Sequence, residues 1–74
     1  MQIISIVDGN KGTANVRWIE ETQYSSAHYE ALISVPYQSD RWVNLFVYDK
    51  DNDDEAVQQA EGYLKSALLR CTLF

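Results

Sequence analysis

Residues 52–71, NDDEAVQQAEGYLKSALLRC, decide the fold. Val57, Ala60, Leu64, Ala67, Leu68 and Cys71 recur at three- and four-residue spacing, which is the apolar stripe of an amphipathic helix. Asn52 is placed to cap it, with Glu55 three residues on as the other half of a capping box. Asp53, Asp54 and Glu55 fall in the first turn and Lys65 and Arg70 near the end, the polarity that complements a helix dipole. Gly62 costs the middle of the helix up to about 1 kcal/mol relative to alanine. It is expected to let the helix lie close on a neighbouring layer.

Upstream of the helix the period changes to two. Gln2 to Val7 is a short run rich in isoleucine, the pattern of a buried strand. Asp8-Gly9-Asn10-Lys11-Gly12 follows, with two glycines and an asparagine suited to positive φ in a hairpin loop. Ala14, Val16 and Trp18 then alternate with Asn15, Arg17 and Ile19, giving a second strand that pairs back on the first. Glu20 to His28 is polar and reads as a loop or frayed strand end. Tyr29, Ala31, Ile33 and Val35 alternate with Glu30, Leu32 and Ser34 as a third strand. Tyr24, Ala27, His28, Ala31 and Leu32 also fit helical spacing, but Ile33, Val35 and the following Pro36 favour the strand. Pro36 to Asp40 is a turn, and Arg41 to Tyr48 is a fourth strand with two apolar faces.

These elements predict an α+β fold: a four-stranded antiparallel sheet, mostly a meander, with one C-terminal amphipathic helix packed on one face. At 74 residues the chain is read as a single domain, 1–74. One helix covers one face, so some of Trp18, Trp42, Phe46 and Tyr48 are expected on the other, where an interface would lie.

Composition excludes several function classes. Eleven acidic residues against six basic ones give a net charge of −5, which repels phosphate backbones and anionic lipid and favours basic protein surfaces. The single cysteine, Cys71, offers no internal disulfide, and the absence of an export-type N-terminus fits a cytoplasmic location. No apolar run reaches the eighteen residues that a membrane span needs.

Motifs for chemistry are sparse. Asp49-Lys50-Asp51-Asn52-Asp53 places three carboxylates at alternate positions and resembles the opening of a calcium-binding loop. The glycine expected at the sixth position is Asp54, and the glutamate expected at the twelfth is Ala60. His28 is the sole histidine, with Ser25 and Ser26 beside it on the same loop rather than across a site. Gly9 and Gly12 belong to a hairpin and form no phosphate cradle. No catalytic residue, cofactor site or metal site is assigned, and the chain is not expected to be an enzyme.

The surplus is in aromatic and acidic residues. Five tyrosines, two tryptophans and two phenylalanines exceed the needs of so small a core, and Tyr and Trp are enriched at protein interfaces. The expected partner-binding residues are Glu20, Glu21, Tyr24, Tyr37, Asp40, Trp42, Asp49, Asp51, Asp53 and Asp54. The expected function is a small acidic protein-binding module of the inhibitor, immunity or antitoxin type, such as phages and mobile elements carry. It would occlude a basic, nucleic-acid-binding surface of another protein. The alternatives are a structural subunit that forms a homodimer through its sheet and, behind it, a calcium-binding loop protein.

Overall fold

The computed structural model describes residues 3–8 and 11–72, the last two by backbone only. Strands β1 (Ile3–Asp8), β2 (Gly12–Ile19), β3 (His28–Ser34) and β4 (Arg41–Leu45) are followed by one helix, α1 (Asp53–Thr72). The sheet order is β1-β2-β3-β4 with every neighbouring pair antiparallel, so the sheet is a full meander and β1 and β4 are both edges. The α+β fold expected from the sequence is the fold of the protein.

Alternation along the strands sorts their side chains. Gly12, Ala14 and Val16 of β2 and Tyr29, Ala31 and Ile33 of β3 are buried beneath the helix, while the residues between them are only half-buried on the outer face. From α1 the matching stripe is Ala56, Ala60, Leu64 and Leu68, one residue per turn. Leu45, Leu64 and Val16 are the largest fully buried side chains, each contributing about 1.5–3 kcal/mol by leaving water.

Gly12, Ala14 and Ala31 on the sheet meet a helix whose stripe begins with Ala56 and Ala60, so small residues on both layers allow a close approach. At Gly12 the helix side chains come close to the sheet backbone. A Cβ there would lie 2.8 Å from Leu64 Cδ1 and 3.0 and 3.1 Å from the two Cδ atoms of Leu68.

Several sequence expectations change. Gly12 opens β2 and makes room for the helix, and among the described residues of the hairpin Lys11 has a positive φ of 71°. Lys11 N closes that turn on Asp8 O at 2.9 Å. Gly9 and Asn10 lie outside the described residues, as does the side chain of Cys71. Gly62 is exposed with nothing within 4 Å of where its Cβ would be, so it does not mediate helix–sheet packing. Trp18 falls in phase with Ala14 and Val16 on the helix side, leaving Trp42 and Phe46 on the outer face.

The fourth strand stops at Leu45 rather than running to Tyr48. Phe46 turns its peptide to the helix instead: its N–H donates to Gln59 Oε1 at 2.9 Å and its carbonyl accepts from Gln59 Nε2 at 3.5 Å. Residues 20–27 are a loop and 28–34 a strand, so no helix forms in that stretch.

Candidate protein-binding surface

The meander brings two acidic loops to one end of the molecule. β2 ends at Ile19 opposite His28, and Tyr29 pairs with Leu45 at the end of β4. The β2–β3 loop therefore lies beside the β4–α1 loop and the start of the helix. Tyr29 joins them: its hydroxyl sits 2.7 Å from the Lys50 carbonyl and hydrogen-bonds the Asp53 carboxylate. Glu20 and Glu21 from one loop thus share a pole with Asp49, Asp51, Asp53, Asp54 and Glu55 from the other. Among the described residues of those two loops and the first helical turn, Lys50 is the single base.

Both loops are braced by their own short side chains. Thr22 Oγ1 accepts from the backbone N–H groups of Tyr24 and Ser25, each at 3.1 Å, and Thr22 N donates to Ser25 O at 2.9 Å. This tight turn leaves Tyr24 at its tip, 89% exposed. Asp49 Oδ1 accepts from Asp51 N at 3.0 Å, and Asn52 N donates to Asp49 O at 3.0 Å, an Asx turn that leads into the helix. Asn52 caps with its carbonyl, which takes Ala56 N at 3.3 Å. Glu55 accepts from Gln59 Nε2 at 3.4 Å, one turn further into the helix.

Tyr29 was legible in the sequence only as an apolar position of a strand. A phenol buried that deeply needs an acceptor, and its demand for one is the signal that points to this pole. Burial, and then the hydrogen bond and charge of Asp53, push its ionisation well above the ordinary tyrosine value, so it remains a proton donor.

The other predicted partner residues lie elsewhere. Tyr37 and Asp40 are in the β3–β4 loop at the opposite end, where Tyr37 adopts a positive φ of 65° and is fully exposed. Trp42 is on the outer face of β4, where the Arg17 guanidinium carbon lies 3.8 Å from its ring centroid. Arg17 also bonds Glu30 at 3.2 Å across the β2–β3 pair. The ten residues therefore divide into seven at the acidic pole, two at the far end and one on the sheet.

The polar groups around His28 and the aspartates bond mostly to neighbours in their own loops. His28 Nδ1 lies 2.7 Å from the Ser26 carbonyl and so carries the proton, and Nε2 faces Glu30 Oε2 at 3.8 Å. The Ser25 hydroxyl pairs with Thr22 Oγ1 at 3.3 Å rather than with the imidazole. Among the described residues, no group of three His, Cys, Asp or Glu side chains is placed to hold a metal ion, and Asp49 and Asp53 are engaged by Asp51 N and Tyr29. Among those residues too, no helix is long and apolar enough to cross a membrane.

Comparison with protein-family models, with curated proteins and with solved structures gives no match.

Proposed function

We propose that the chain is a small acidic protein-binding module that occludes a basic, nucleic-acid-binding surface of another protein, as an inhibitor, immunity or antitoxin-type partner. The observation that carries this reading is the acidic pole: seven carboxylates from two loops and a helix start, with Lys50 alone among them. Carboxylates in such an array stand in for phosphates and steer a basic groove into contact. The bracing of both loops by Thr22 and Asp49 favours affinity, because little ordering remains to be done on binding. On this reading the module works in a reducing cytoplasm, free of direct nucleic-acid or membrane contact.

The test is affinity capture from the native cell with two baits, the parent chain and a variant carrying E20K, E21K, D51K and D54K. The expected result is one basic protein held by the parent, released by salt and by added duplex DNA or RNA, and lost with the variant. Equal capture by both baits refutes the occluding role.

A second reading, a homodimer through the sheet, draws on the unpaired edges and on Ile3, Val7 and Phe46, which are 59%, 75% and 69% exposed. The centre of that face is polar, however, with Arg17, Glu30, Asn15 and Ser5 bonded among themselves. A single monomeric species in sedimentation at high micromolar concentration would exclude the dimer.

A further inference from the structure

The helix crosses the sheet diagonally. Gln59 lies at Phe46 just past β4, whereas Leu64 and Leu68 lie over Gly12 at the start of β2. Towards the acidic pole the cover of the inner face thins, and Ile4 and Trp18 are only half-buried. There, Ile4, Val16, Trp18 and Tyr29 line an open cavity of about 580 Å³ whose lining also includes Asp53 and Glu20. That volume lies within the roughly 300–1,000 Å³ range of small-ligand sites. Trp18 and Tyr29 meet edge to face within it, centroids 4.9 Å apart at 71°.

We propose that this cavity receives an arginine side chain of the protein partner. The inference rests on the protein-binding reading above and names what that partner must present. The floor is apolar and fits the three methylenes of an arginine stem, which lose water against the half-buried Ile4 and Trp18. The head group then meets Asp53, whose carboxylate Tyr29 already holds in place, and Glu20 from the facing loop. Lys50 also lines the cavity, so the local balance is two carboxylates to one ammonium, within a pole that adds Glu21, Asp49, Asp51 and Asp54. That balance selects a cation. A planar guanidinium can bond two carboxylates through separate N–H edges and stack on an indole, neither of which a lysine ammonium does as well.

The experiment is an NMR titration of the ¹⁵N-labelled chain with a blocked Gly-Arg-Gly peptide and its citrulline counterpart, which keeps the shape and removes the charge. The arginine peptide is expected to give saturable shifts centred on the Trp18 indole, Ile4 and Glu20, with the citrulline peptide weaker by about tenfold or more. E20Q alters an exposed side chain and D53N a helix-start carboxylate; each is expected to weaken binding about threefold or more, while D40N at the far end leaves it unchanged. Non-saturating shifts spread over all acidic loops, or equal response to citrulline, would overturn the cavity assignment. If that happens while pole reversal still abolishes partner capture, the cavity alone is wrong. If the peptide binds as expected but pole reversal, which includes E20K at the cavity, leaves capture intact, the occluding function is wrong and the cavity binds arginine without receiving it from that partner.

Discussion

The side-chain amide of Gln59 takes both hydrogen bonds of the Phe46 peptide, Oε1 from its N–H at 2.9 Å and Nε2 to its carbonyl at 3.5 Å. One glutamine on the helix thus replaces the strand neighbour that an edge residue lacks. It also sets where β4 stops, and hence where the acidic loop begins.

Gln59→Ala should lower stability by about 1 kcal/mol, the usual net value of a hydrogen bond near the surface. In a chain of this size that is a fall in Tm of about 4–8 °C. The sharper readout is local: amide exchange at Phe46 should accelerate in the variant. Unchanged protection there would mean that Gln59 does not hold the peptide in solution.

The two described glycines should respond oppositely to alanine. Gly62→Ala places a methyl in open space on an exposed helix position and should stabilise by up to about 1 kcal/mol. Gly12→Ala drives a methyl to 2.8 Å from Leu64, a side chain only 1% exposed. Overpacking of this kind costs about 1–3 kcal/mol, and the lower half of that range applies here because the atoms met are the ends of leucine side chains. Thermal unfolding of both variants decides the point; a stabilising Gly12→Ala would show that the helix does not seat on that corner.

The fold was legible because periodicity and turn residues together separate the elements: period two through residues 14–18 and 29–35, with Ile33, Val35 and Pro36 deciding the third strand, and a stripe at three- and four-residue spacing from Val57 to Cys71. The alternation was also legible, with Ala14 and Val16 in one phase and Tyr29 and Ile33 in another, but not which face the helix would cover. What composition and spacing could not give was depth along the strands. Trp18 shares a phase with Val16, yet it lies where the cover of the diagonal helix thins, and no local pattern encodes a crossing angle. The same holds for the partner residues. Glu20 and Asp53 line one cavity because β2 and β4 end where β3 begins, whereas Asp40 sits in the β3–β4 loop at the other end.

Tyr29→Phe should destabilise by about 1–3 kcal/mol, since the Asp53 carboxylate and Lys50 carbonyl lose a shared donor. The hydroxyl also gives stability a defined alkaline dependence. Its ionisation is raised in the folded chain, first by burial and then by Asp53, while in the unfolded chain it ionises near pH 10. Below that pH both states bind the proton and stability is flat with respect to this group. Above it the unfolded state releases the proton first, so stability falls as pH rises. Denaturant midpoints measured from pH 8 to 11 should decline more steeply for the parent than for Tyr29→Phe. Parallel curves would place the phenol in water.

Arg17 and Trp42 should be coupled although they lie two strands apart. A double-mutant cycle with Arg17→Ala and Trp42→Ala is expected to give about 0.5–1 kcal/mol, as for a partly exposed cation–ring contact. A coupling near zero would leave the ring free on the outer face and revive the homodimer reading.

On the proposed function, the acidic pole sets stability against binding. Carboxylates from two loops repel one another at one end, and the helix dipole offsets only those in its first turn, Asp53, Asp54 and Glu55. Glu21 is exposed and lies outside that turn, so E21K removes repulsion without losing a cap and should raise stability by a few tenths of a kcal/mol. Asp54→Lys should instead cost about 0.3–1 kcal/mol, because it reverses a charge at the helix start. Both substitutions should slow association with the captured partner and flatten its dependence on salt. If E21K destabilises the chain, or binds its partner at the parent's rate, Glu21 has no part in the proposed recognition.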